Sequence, residues 1–188
     1  MDQFDVLDHG GTQFARVLSA VTPQDWASPT PCEGWTVRDL VVHMVGGTVM
    51  SVALLNGATS EEAFALLQTD VLGDEPVETF VAAQANLSAA FRATDLELIV
   101  HHRIGDIPAG MLLGFRIADL TLHSWDLARA IQADESLDPV LVQAVWDAVS
   151  PMRDTIGQTG VFGDGPSGDV DDDAALQLRL LDLTGRRP

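Results

Sequence analysis

The chain has 188 residues, 46% hydrophobic and 6% aromatic, and a formal net charge of −18 with a pI near 4.2. That is the size of one domain with a real core, and its charge repels phosphate backbones and anionic head groups, so the expected partners are a small molecule or a protein, with no nucleic acid and no membrane. All ten basic residues are Arg and there is no Lys or Tyr, which removes Schiff-base chemistry, a phosphate-loop lysine and a tyrosine acid; the single cysteine, Cys32, allows neither an internal disulfide nor a cysteine-based zinc site.

The opening MDQFDVLDHGG lacks the basic flank and apolar run of a signal peptide, and no segment offers roughly 18 uninterrupted apolar residues, so a cytoplasmic location is expected. Phe4, Leu7, Gly11, Phe14, Leu18 and Val21 alternate in steps of three and four, which predicts a helix with one buried stripe. The run TPQDWASPTPCEGW carries too many breakers to continue it and reads as an ordered loop pinned by Trp26 and Trp35. Thr36 with Asp39 is a weaker form of the capping box and starts a second helix that runs to about Leu55. A short helical piece over Glu61 to Gln68 follows. A third long helix spans Glu75 to about Thr94, and its alanines (Ala82, Ala83, Ala85, Ala89, Ala90) suit close packing.

In LELIVHHRIGDIPAG the β-branched residues and glycines predict a short extended or hairpin excursion. A fourth long helix is expected from about Met111 to Gln132. A fifth begins at Asp138-Pro139 and ends near Gly157. Gly163, Gly165 and Gly168 form a GxGxxG, but aspartates rather than an anion-accepting helix start come after it, so dinucleotide binding is rejected. Asp169, Asp171, Asp172 and Asp173 miss the calcium-loop pattern and are read as caps on a final short helix, AALQLRLLDL. The sum is an all-α bundle of four or five long helices.

The chemistry concentrates on the fourth helix. Asp119 and His123 stand four residues apart, so their side chains can meet at metal-bonding distance, or can form a polar interhelical pair. His43 interrupts an apolar run of the second helix and is either a hydrogen-bonded core histidine or a third ligand. Gly46 and Gly47 beside it leave room for a ligand or for a close helix contact. Because Ile117, Leu120 and Leu127 mark the fourth helix as buried, an unpaired carboxylate there would be costly, and the trio His43, Asp119 and His123 is most economically read as a metal site. Arg116 is positioned to hold the Asp119 carboxylate or an anionic substrate. Asp126 is placed to orient an imidazole, to act as a base or to pair with Arg129. His9, His101 and His102 are read as non-ligands, and Cys32 as a small buried hydrophobe with no activating neighbour.

TPCEGWTVRDLVVHMVGG, IADLTLHSWDLARAI and LLDLTGRRP together closely resemble actinobacterial members of the DinB-like superfamily related to mycothiol-dependent maleylpyruvate isomerase. The resemblance covers essentially the whole chain. It implies a single DinB-like domain over residues 1–188: a four-helix bundle with extra short helices and a short C-terminal extension. It also implies a divalent metal on His43, Asp119 and His123, with zinc the default and iron or nickel open. Mycothiol is the implied co-substrate, bound as thiolate and attacking an electrophilic small molecule in a transferase or isomerase reaction. The isomerases resembled usually carry a further C-terminal domain, so the resemblance speaks for the metal site more than for the isomerisation itself. A water-activating hydrolase and a metal-binding protein without turnover are the alternatives, and a homodimer through exposed helix faces is one assembly open to the chain.

Overall fold

The computed structural model describes residues 1–69, 71–158 and 162–188. The chain forms two compact units, Met1–Glu135 and Ser136–Pro188. In the first, helices α1 (Gln3–Leu18), α2 (Val37–Leu55), α4 (Pro76–Arg92) and α5 (Ala109–Ala130) make a four-helix bundle, with a short α3 (Ser60–Ala65) between α2 and α4. α1 packs on α4 and α5, and α2 packs on the same two. The expected all-α class therefore holds, and the only strands among the described residues are a hairpin, β1 (Ile99–His102) with β2 (Gly105–Pro108).

The periodic apolar positions become the core. Leu7, Phe14 and Leu18 of α1 are buried, and the Phe14 ring lies 4.8 Å from that of Phe80 on α4. α1 ends at Leu18, earlier than the stripe through Val21 implied, because Ser19 turns its hydroxyl back onto the Ala15 carbonyl and the Thr22 amide bonds the Asp25 carboxylate. The following segment is ordered as expected. A 3-10 turn covers Asp25–Ala27, Pro29 bridges to Thr36, and the Thr30 amide bonds the Trp35 carbonyl at 2.9 Å.

α2 starts where the capping box placed it. The Asp39 amide donates to the Thr36 hydroxyl at 3.2 Å and the Thr36 amide to the Asp39 carboxylate at 2.9 Å. By length and mean hydropathy (1.4) α2 is long and apolar enough to cross a membrane, but 61% of that stretch is buried in the fold, as befits a core helix. On α4 the core stripe is Phe80, Gln84, Leu87 and Phe91. Ala82, Ala85 and Ala89 are exposed and serve helix propensity, so the close packing expected of the five alanines is left to the half-buried Ala83 and Ala90. The hairpin pairs Val100 with Ile107 and His101 with Asp106. α5 begins two residues before the expected Met111, its first amides satisfied by Leu98 and Leu96 carbonyls.

The second unit holds α6 (Pro139–Val149) and α7 (Leu176–Leu183). α6 was expected to reach Gly157 and stops at Val149, because Pro151 brings no amide proton and crowds the preceding turn; short 3-10 turns at Ser150–Met152 and Ile156–Gln158 replace the missing length. The aspartate run does not cap α7. Its N-cap is Ala175 with no side-chain bond and no acid in the first turn, while Asp172 instead meets Arg153 at 3.3 Å.

Candidate metal centre

α2 and α5 cross so that His43, Asp119 and His123 each bring a donor atom to within 4.8 Å of the others. The i, i+4 spacing on α5 aligns Asp119 and His123, and His43 enters from α2. His43 Nε2 stands 3.9 Å from Asp119 Oδ2, beyond hydrogen-bond range. The rings of His43 and His123 are 5.1 Å apart at 76°. Burial pushes the His43 imidazole down to about 4, with His123 and Arg116 acting in the same sense and Asp119 opposing. The ring is therefore neutral at pH 7, and with 39% of its side-chain surface open it keeps a lone pair for a cation. Two imidazoles and one carboxylate thus fit a divalent ion, and a tetrahedral zinc-class ion would hold a nitrogen and an oxygen about 3.3 Å apart, about 0.6 Å closer than the 3.9 Å between His43 and Asp119.

Arg116 takes the first of its two expected roles. Its guanidinium is 2% exposed, donates to Asp119 Oδ2 at 2.8 Å, and also reaches the Met44 carbonyl (3.2 Å) and the Thr48 hydroxyl (3.1 Å) on α2. Among the described residues its Nε has no hydrogen-bond partner, and the bonds that hold this buried cation run to the acid and two α2 oxygens. This explains Gly47: a Cβ there would lie 2.5 Å from Arg116 Nη1, and one at Gly46 would lie 2.8 Å from Leu67 Cδ2. The glycine pair admits these two side chains, rather than a ligand beside His43.

Asp126 orients the histidine. Its carboxylate, 1% exposed, accepts from His123 Nδ1 at 2.9 Å, which places the proton on Nδ1 and leaves Nε2 with the lone pair. Arg129, its alternative partner, pairs with Glu135 at 2.6 Å and covers the Trp125 ring.

Two residues of the loop before α2 belong to this site, although the sequence predicts for Trp35 only a role in pinning the loop and for Cys32 none in the chemistry. Trp35 packs over both imidazoles, 5.0 Å from the His43 ring and 6.1 Å from His123 in a stacked arrangement. Cys32 lies 3.8 Å from His123 Nδ1 and donates to Asp126 Oδ2 at 3.4 Å, so the expectation that it lacks an activating neighbour is overturned. The contacts span 91 and 94 positions of sequence, beyond the reach of any local pattern; the only signal was that CEGW abuts the helix carrying His43. Of the other histidines, His101 bonds Asp106 at 2.8 Å. His102 sits between the Phe64 and Phe115 rings, where burial and Arg103 lower its pKa and Asp119 acts the other way, which places it within electrostatic reach of the centre.

The mycothiol maleylpyruvate isomerase N-terminal domain family matches residues 7–128, the span that holds every residue of the centre. An uncharacterized protein of Mycobacterium tuberculosis, matched from two strains, is 31% identical over 142 residues, covering 75% of this chain and 74% of its own length. The solved structure of a mycothiol-dependent maleylpyruvate isomerase is similar in fold, with a TM-score of 0.59 at 19% identity over 83% of this chain and 70% of that one. A histidine-to-alanine mutant of a mycothiol-dependent maleylpyruvate isomerase gives 0.62 over the same shares. By its sequence match over residues 7–128 and its helical DinB-like fold, this chain belongs to the mycothiol maleylpyruvate isomerase N-terminal domain family.

Proposed function

We propose that this protein is a metal-dependent, thiol-using enzyme in which His43, Asp119 and His123 hold a divalent ion and a low-molecular-weight thiol of the mycothiol type is the co-substrate. The observation that carries the reading is the convergence of two imidazoles and a carboxylate from α2 and α5, each held by a second residue or kept neutral by burial. An ion bound there would favour thiolate over thiol, supplying the nucleophile for an electrophilic small molecule. The chain's own part is positional. Arg116 fixes the Asp119 oxygen, Asp126 fixes the His123 ring, and Trp35 lays an apolar plane over both imidazoles, which limits water around the nucleophile. Addition to a maleylpyruvate-like double bond, rotation and elimination would give an isomerase, and retention of the adduct would give a transferase. Zinc is the ion that this donor set suits first.

The hydrolytic alternative needs a base beside the ion. Asp126, the acid named for that role, is buried and bound to His123, which favours the thiol reading. The test is elemental analysis of the purified wild type and of His43→Ala and Asp119→Asn, followed by a screen of thiols against unsaturated electrophiles. We expect bound metal in the wild type, its loss from this centre in both variants, and thiol consumption only in the loaded wild type. A wild type that takes up no zinc, iron, nickel or manganese would overturn the proposal.

A further inference from the structure

At the Nδ1 edge of His123 three donors of different chemistry meet: Cys32 Sγ, His123 Nδ1 and Asp126 Oδ2. Sulfur to nitrogen is 3.8 Å, sulfur to oxygen 3.4 Å and nitrogen to oxygen 2.9 Å. A tetrahedral zinc-class ion with ordinary bond lengths would hold these pairs at about 3.6, 3.5 and 3.3 Å. Each distance is therefore within a few tenths of an ångström of that geometry, closer than the 3.9 Å between His43 and Asp119.

We propose that Cys32, His123 and Asp126 form a second cation site, selective for thiophilic divalent ions such as zinc or cadmium, that shares the His123 ring with the centre described above. The donor set argues for the selectivity, because a thiolate with an imidazole and one carboxylate disfavours magnesium, calcium and manganese, which seek all-oxygen shells. The proton balance is closed. The Asp126 carboxylate now accepts hydrogen bonds from the thiol and from Nδ1–H; an incoming dication releases the thiol proton and moves the ring proton from Nδ1 to Nε2, and that second proton also leaves only when an ion in the first centre holds Nε2 and the ring bridges the two as imidazolate. Asp126 is 1% exposed and Cys32 partly exposed, so the approach runs along the loop that bears the cysteine. Occupancy would clamp that loop to α5. The site shares His123 with the proposed function but does not depend on the first centre being filled.

The experiment is a titration of metal-stripped full-length protein with cobalt(II) and with cadmium, read by the near-ultraviolet thiolate-to-metal charge-transfer band and by elemental stoichiometry, in wild type, Cys32→Ser and His43→Ala. We expect about two equivalents and a clear band in the wild type, about one equivalent without the band in Cys32→Ser, and about one equivalent with the band retained in His43→Ala. The retained band is the outcome specific to a second site. A band abolished by His43→Ala would make Cys32 a ligand of the first centre, and absence of any band in loaded wild type would exclude the thiol; either overturns the proposal. Failure of the first centre shows separately, as a stoichiometry that His43→Ala leaves unchanged. Far-ultraviolet circular dichroism of each variant confirms that it folds, and Ser in place of the partly exposed Cys32 preserves volume.

Discussion

Arg116 shows burial choosing between two partners that the sequence leaves open. The sequence offered it two partners, and burial at the α2 crossing selects the carboxylate. Arg116→Met should lower ion affinity at the centre by about 10–100-fold, measured by chelator competition, and Arg116→Lys should not restore it, because an ammonium lacks the fork that joins Asp119 to two α2 oxygens. Gly47→Ala should destabilise by about 1–3 kcal/mol in urea unfolding, since its methyl meets a guanidinium that has nowhere to move, whereas Gly46→Ala meets only the flexible end of Leu67 and should cost less. His43 sets a pH dependence. Its folded value of about 4 lies below the ordinary 6.5, so between these the unfolded chain binds more protons; metal-free stability should be full above 6.5, decline as pH falls, and level off below about 4. His43→Gln should flatten that slope in pH-dependent thermal melts. The trio was legible because i, i+4 spacing is local and an intruding histidine in an apolar run is conspicuous. Cys32 and Trp35 were not, because their partners lie on α5 and only the tertiary fold brings them together.

At the scale of elements, capping decided what could be read. The start of α2 was visible in Thr36 and Asp39, and the structure shows both halves of the box; the Thr36 hydroxyl and amide hold the Asp39 carboxyl below its usual range. Thr36→Ala should cost about 1 kcal/mol in chemical denaturation, and because this cap also anchors the Trp35 loop through the Pro29–Thr36 bridge, it should raise the mobility of Trp35 as seen in its fluorescence anisotropy. Helix ends without such a signal were misplaced. α6 was carried through Pro151, whose ring forbids continuation, and α7 was given acidic caps that point elsewhere. Both errors came from reading composition where backbone geometry decides. The hairpin was placed correctly because β-branched residues and glycines change the local period, but nothing in that segment announced that His102 would come within electrostatic reach of Asp119.

For the whole molecule the dominant fact is charge. With 28 acidic against 10 basic side chains, the folded state carries more repulsion than its ion pairs relieve, and several of those pairs, including Arg92 with Asp5 and Asp8, lie at the surface. Added sodium chloride should therefore raise the thermal midpoint, as screening weakens the net repulsion more than the exposed pairs; a midpoint that falls with salt would mean that specific pairs dominate. The same field concentrates divalent cations near the surface and discourages anionic substrates.

The placement of the centre also has a kinetic side. His43, Asp119 and His123 sit within long, packed helices, whereas Trp35 and Cys32 ride on a loop held by one bridge, a few backbone bonds and the contacts of Cys32 with Asp126 and of Trp35 with the two imidazoles. Helix interiors of this kind open only with the unfolding of the bundle, while such a loop opens by itself and often. Capture and release of an ion or thiol would then follow the clock of the loop, and the ligands would wait, already aligned, whichever way the cover stood. In hydrogen exchange the amides around 43, 119 and 123 should fall in the slowest class and those of 32–34 in a fast one, a separation that makes access, rather than assembly of the ligands, the event that sets the pace.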